Sequence, residues 1–313
     1  MSRNDVNGTD GGVTDGGATD PAATGPETAA SRRGVETRRF LRKLFRNKAV
    51  LVGFVVLVAF IAMALLAPWI TPTDPLDGDL SLRLAPPSAE LPFGADHQGR
   101  DMVSRVIAGS RVAMLVGFVA VGIGLVFGGL LGIVAGYFGG RLDALIMRVM
   151  DVILAFPWLL LVIAVVSLLG PSLTNAMLAI GVTIVPQYAR LLRSVVVSTR
   201  EKDFVLAASA LGASHARILW AHVAPHTLGQ TIVLSTVSLG KAILAEAGLS
   251  FLGLGVQPPT PSWGMMIAVG QDYLRSHPHL SIVPGVAVMT VVVALNLFGD
   301  GLADALDPTR RRR

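Results

Sequence analysis

The chain has 313 residues, 52% hydrophobic and 15% charged, with a formal net charge of +5 and no cysteine. A mean hydropathy of +0.62 excludes an ordinary water-soluble domain, because long uncharged runs of this kind read as membrane spans. The missing cysteine excludes disulfides and thiolate metal sites, and the basic residues flank apolar runs, so they read as membrane topology and not as a nucleic-acid module.

Residues 1–36 are rich in Gly, Thr, Ala and Asp, with TDGG at Thr9–Gly12 and again at Thr14–Gly17. Such a segment buries too little apolar area to offset its ordering entropy, so a disordered tail is expected. Residues 37–48 turn basic, with Arg38, Arg39, Arg42, Lys43, Arg46 and Lys48, and suit a helix lying at the membrane surface. The rest, 49–313, reads as one transmembrane unit. Ala49–Ile70 is the first span, too long for a signal peptide, and its basic flank puts its start on the cytoplasmic side.

Thr71 to about Gly109 is polar, Pro-rich and acid-rich, which fits an outer loop. Arg100, Asp101 and Arg105 either form local ion pairs that shape it or contact a ligand or binding protein. Val112–Phe138 is the second span, and Gly124, Gly128, Gly132 and Gly136 recur along it every four residues. Small residues at that spacing let helix backbones approach closely in lipid. A short inner turn, Gly139–Asp143, leads to a third span from about Ala144 to Leu169, which Pro157 should kink without breaking. The fourth span, to about Leu192, carries Thr174, Asn175, Thr183, Pro186 and Gln187, which should face protein or water.

Ser198–His226 is a charge-bearing segment between apolar runs that still reads as helical. Phe204, Ala207, Ala208 and Leu211 fall on one helix face. Ser198 with Glu201 fits a capping box, Gly212 is placed to end the first helix, Ser214 to cap a second, and Pro225 to stop it. Such a helix–turn–helix suits docking onto another protein, although a plain connecting loop has the same pattern.

Leu228–Leu254 is the fifth span and holds Lys241 and Glu246. They advance about 7.5 Å but turn about 140°, so they do not share a face. Each needs a partner or a watery cavity: either structural pairing with other helices or a place along a solute pathway meets that need. Val256–His279 is a second outer loop, in which His277 and His279 read as an incidental pair. Leu280–Gly299 is the sixth span, holding Asn296, and Arg310–Arg313 put the C-terminus inside the cell. The expectation is an all-α polytopic membrane bundle of about six spans, with both termini cytoplasmic. The sequence has no phosphate-binding GxxxxGK[ST] loop, nucleophile elbow or HExxH helix. An enzyme is therefore not expected.

Four stretches resemble the permeases of ABC importers in the dipeptide, oligopeptide and nickel branch. Asp203, Phe204, Val205, Ala207, Ala208, Leu211, Gly212, Ala213, Ser214, Arg217, Ile218, His222 and Pro225 match that branch's EAA loop, with Leu206 where the naming Glu stands. Residues 93–105 resemble its GTDxxGRDxxSR signature, with Ala95 for Thr. Residues 245–255 with 258–264, and the ending at 299–308 with Ala303 for Arg, resemble it too. The resemblance implies a permease subunit in the cytoplasmic membrane of a prokaryote, with no cofactor of its own. It implies as partners a second homologous permease, two ATP-binding subunits and an extracellular solute-binding protein. It also implies that Asp203, Ala207, Ala208, Gly212, Arg217 and Ile218 dock the ATPase, and it puts peptides first as cargo, with nickel, opines and sugars, which similar subunits serve, left open. The alternative is a secondary transporter driven by an ion gradient through Asp151 and Glu246; a membrane scaffold protein is a third reading.

Overall fold

Asn47 opens the first helix: its side chain accepts the Ala49 N–H at 3.0 Å, satisfying one of the donors a helix start leaves unpaired. The computed structural model describes residues 44–306, so the expected tail, most of the basic segment and the terminal arginines lie outside the described residues. In chain order the helices are α1 (Lys48–Ile70), α2 (Met102–Phe138), α3 (Gly140–Ala155), α4 (Trp158–Leu169), α5 (Leu173–Arg200), α6 (Asp203–Ala210), α7 (His215–Phe251), α8 (Trp263–Gly270) and α9 (His279–Leu306). Among the described residues there is no strand, only an isolated bridge between Ala95 and Asp101.

Helices α1, α2, α5, α7 and α9 are each long and apolar enough to cross a membrane. The third expected span is a correction: α3 and α4 meet at 89°, so it is broken rather than kinked. Pro157 has no N–H to donate and forces Phe156 out of helical geometry, to φ −88° and ψ 137°. The second helix starts at Met102, well before Val112, because the Asp101 carboxylate caps it through the Val103 and Ser104 N–H groups. The fourth runs on to Arg200, past the expected end near Leu192.

The glycine series closes α2 against α5. A methyl group added at Gly128 or Gly132 would strike the carbonyl oxygens of Val185 and Ala189, and at Gly136 it would lie 2.8 Å from that of Arg193. One core cluster joins α2, α4, α5 and α7 around Val116, Tyr188, Val196 and Leu249. A second joins α1, α2, α7, α8 and α9 around Phe60, Met102, Trp263 and Leu295. Large apolar side chains such as Leu65, Trp69 and Leu168 remain exposed around the bundle, which suits lipid and not water.

The helices alternate in direction, so two ends are defined. At one end Tyr137, His215 and Arg200 meet, and Gly229 packs near Leu306. At the other end Thr73 bonds Ser104, and the Trp263 Nε1–H donates to the Val106 carbonyl at 3.0 Å. The expected second outer loop therefore contains a buried helix, α8, because Trp263 brings a large apolar surface and one donor that both find partners inside.

Candidate functional site

The segment between α5 and α7 folds into an elbow at the first of these ends. Its first helix, α6, has no side-chain cap: Ser198 lies inside α5 and donates to the Val195 carbonyl, so the expected capping box does not form. Gly212 ends α6 as expected. At φ +78° its N–H reaches the Ser209 carbonyl and the Ala213 N–H reaches that of Ala208, the two bonds of a Schellman turn. Ser214 caps the second helix through the Arg217 N–H at 3.4 Å. Pro225 does not stop that helix. The backbone widens to π geometry over Ile218–Val223 and tightens to a 3-10 turn over Ala224–Thr227, which absorbs the proline within a continuous α7.

The proposed docking residues divide. Asp203, Ala207, Gly212 and Arg217 are exposed, Ala208 is half-buried, and Ile218 is 3% exposed. Ile218 packs into the main core cluster with Leu219 and Val223, so it anchors the elbow and offers nothing to a partner. Asp203, in the first turn of α6, sits where a carboxylate is favoured by the helix dipole. The outward apolar surface combines Phe204 and Leu211 of the expected helix face with Leu206 and Trp220, which the pattern did not single out for this role. Leu206 is 57% exposed, Leu211 88% and Trp220 58%, and the Phe204 ring stacks on His226 at 5.3 Å. Leu206 is the position where the motif's Glu would stand.

The elbow is tied to the bundle rather than hanging from it. Tyr137 Oη lies 2.8 Å from His215 Nδ1, and Arg200 Nη1 donates to the carbonyls of Gly136 at 3.0 Å and Tyr137 at 3.3 Å. Arg193 grips Asp143 through two bonds of 2.5 and 2.6 Å. The ends of α2, α3 and α5 are thereby cross-linked beside the elbow, which joins them through His215. Asp151, a carboxylate that ion-driven transport would need inside the bundle, is instead half-exposed and paired with Arg190 at 2.7 Å.

Lys241 and Glu246 go opposite ways. Glu246 is 1% exposed and accepts the Ser250 hydroxyl at 2.6 Å, with the Ser262 hydroxyl also within reach. Ser250 in turn accepts the Val256 N–H at 3.0 Å, which ties the end of α7 to the loop that follows. Partners on other spans were expected for this carboxyl; its partners are hydroxyls on α7 itself and at the start of α8. Lys241 is exposed, with no ion pair or hydrogen bond among the described residues.

At the opposite end the ion pairing differs from expectation. Asp96, not Asp101, is the acidic partner, holding Arg100 at 2.7 Å and Arg105 at 3.3 Å. Asp101 is used as the α2 cap and accepts the Ser104 hydroxyl at 2.6 Å. Arg105 also donates to the Pro75 carbonyl at 3.0 Å, so the cluster shapes the loop as one of the two readings held. It borders a cavity of about 200 Å³ shared with Pro258, Pro259 and Met266. Burial holds the His97 imidazole there below its ordinary pKa; the Asp96 carboxylate acts the other way.

A polytopic helical bundle with an exposed, braced elbow at one end defines a multi-pass membrane protein. Residues 128–312 match the family described as "Binding-protein-dependent transport system inner membrane component", and the chain belongs to that family. Residues 37–87 match the "N-terminal TM domain of oligopeptide transport permease C". The chain is 45% identical over 271 residues to the dipeptide transport system permease protein DppC of Alkalihalophilus pseudofirmus, covering 87% of this chain and 89% of that one. It is 41% identical over 286 residues to the probable D,D-dipeptide transport system permease protein DdpC of Escherichia coli, covering 90% and 96%. It is 39% identical over 274 residues to the glutathione transport system permease protein GsiD of Pectobacterium atrosepticum, covering 87% and 89%. The chain is thus a multi-pass inner-membrane permease and a non-catalytic subunit, and membership implies a partner ATPase and a solute-binding protein.

Proposed function

We propose that this chain moves peptides across the membrane together with a second, homologous permease, two ATP-binding subunits and an extracellular solute-binding protein. The elbow is the seat of one ATP-binding subunit. It lies on the cytoplasmic side with both chain termini, in keeping with the basic residues at Arg310–Arg313. Closure of the ATPase pair moves the elbow, and the Arg193–Asp143 and Arg200 contacts carry that movement into α2, α3 and α5. ATP drives the cycle only so far as it favours one of the bundle's two states over the other.

The observation that carries the docking reading is the outward apolar knob of Leu206, Ala207 and Leu211 on an elbow whose inner face, Val205 and Ile218, is anchored in the core. Exposed leucines at the water-facing end of a membrane protein are costly unless a partner covers them. Peptides are favoured as cargo because the relatives are named for dipeptide, D,D-dipeptide and glutathione transport.

The test is uptake of labelled dipeptides into proteoliposomes holding the assembled transporter, with ATP inside or omitted. Leu211→Asp should abolish uptake and ATPase co-purification while leaving membrane insertion intact. Uptake that runs on an ion gradient without ATP, or a Leu211→Asp transporter that keeps its ATPase and its rate, would overturn the reading.

A further inference from the structure

Lys241 stands about halfway along the membrane-crossing part of α7: thirteen residues, roughly 20 Å, beyond Leu228 and ten residues, roughly 15 Å, before Phe251. Its exposed neighbours on that helix are Leu244 and Gly248, three and seven residues on, so the three form one stripe. On α9 the exposed stripe is Met289, Val293 and Asn296, with the same spacing. The two helices run antiparallel and pack closely, with Gly240 against Leu295 and Val292. Leu244, Gly248, Met289 and Val293 line a common groove of about 590 Å³, which Trp158 borders from α4 just beyond the 89° bend.

Lys241 lies one turn before Leu244 on α7, and Asn296 one turn after Val293 on α9. Because the helices are antiparallel, both steps lead toward the elbow end, so a cation and an amide close the same end of an apolar groove. Neither side chain has an ion pair or hydrogen bond among the described residues. An ammonium at this depth does not face hydrocarbon; it faces water or an anion. Glu246 does not serve as that anion, since it is buried on the other side of α7 with Ser250.

We propose that this groove lies on the translocation path and that Lys241, with Asn296 beside it, binds the carboxylate of the passing solute while the groove takes its apolar side chains. The proposal rests on the peptide-permease reading, because a free carboxylate at one end and side chains of varied size are what peptides share. It gives the path a sense of chemical direction: an anionic terminus is held and a bare divalent cation is repelled. Lys241 acts here on specificity, not on coupling.

The assembled transporter is tested in two ways. The chain has no cysteine, so Lys241→Cys introduces a single thiol whose labelling is read on this chain alone. A membrane-impermeant maleimide should label it in the nucleotide-free or the vanadate-trapped state, and excess peptide should slow the reaction. Absence of labelling in both states, or labelling by membrane-permeant reagents only, means that the residue faces lipid or protein and overturns the proposal. Second, uptake of a dipeptide is compared with that of its C-terminal amide. The preference for the free acid should fall about tenfold in Lys241→Met, the loss expected when one charge-assisted contact is removed, and return in Lys241→Arg. The same binding protein serves every variant, so its own selectivity cancels in the ratio. Equal losses for acid and amide, together with loss of the partner permease on purification, would assign Lys241 to the subunit interface and overturn the proposal. A parent transporter that moves no peptide refutes the peptide reading instead, and does so without altering the labelling result.

Discussion

Gly132→Ala is a one-methyl test of how α2 and α5 are held together. The added methyl would collide with the Ala189 carbonyl oxygen and lie 2.9 Å from both its carbonyl carbon and its Cα. All three atoms are backbone within a helix, so no side-chain rotation relieves the contact. Normal carbon contacts lie at about 3.5–4.0 Å, so the two helices must separate locally by close to 1 Å. Overpacking of this kind costs about 1–3 kcal/mol. Gly122 sits on the same helix with nothing within 4 Å of its missing methyl group, so Gly122→Ala should instead gain about 0.5–1 kcal/mol from reduced chain entropy. The two substitutions therefore shift thermal stability in opposite directions, by roughly 2–4 °C per kcal/mol. Both are read on purified protein in detergent by scanning fluorimetry and by recovery of the monodisperse peak after heating. A Gly132→Ala protein as stable as the parent, or one indistinguishable from Gly122→Ala, would refute the close-approach account.

Three further outcomes are expected. Gly212→Ala forces a methyl-bearing residue to φ +78° at a cost of about 1–2 kcal/mol, although nothing crowds the site; ATPase co-purification should weaken, and Gly212→Asn should largely restore it. Glu246→Gln keeps an acceptor for the Ser250 hydroxyl and should fold and transport like the parent. Glu246→Ala removes that acceptor and should lower stability by about 1–3 kcal/mol in the same detergent assay. His97 resists protonation in the folded protein through burial and the nearby Arg100, Arg105 and Arg83, with Asp96 opposing. As pH falls through its ordinary value of 6.5 the unfolded chain takes up a proton that the folded loop refuses, so stability should fall. His97→Gln should flatten the thermal-stability profile between pH 7.5 and 5.5, and an unchanged profile would remove His97 from the account.

The glycine series shows where sequence reading works: a four-residue spacing of small side chains has one physical use in lipid, and Gly128, Gly132 and Gly136 meet a neighbouring backbone as expected. The Gly212 turn was equally readable, since few other residues accept that conformation. Ile218 shows where it fails. Position in a motif does not say which face of a short helix is turned inward, and the core claims Ile218 while leaving Leu211 in the open. Asp101 was misassigned for a related reason: a carboxylate next to arginines in sequence has a competing use as a helix cap, and only the fold decides between them. Pro157 and Pro225 were each misread, in opposite senses. Pro157 was expected to kink a span and instead breaks it to 89°, whereas Pro225 was expected to stop a helix and is absorbed by a π turn.

By itself the sequence determined the existence of five of the apolar spans, the glycine seam and the elbow's turn, because burial in lipid and left-handed backbone each restrict composition locally. Only the tertiary structure decided which face each helix shows. That choice depends on neighbours distant in the chain, and it buries Glu246 among hydroxyls while leaving Lys241 and Asn296 exposed.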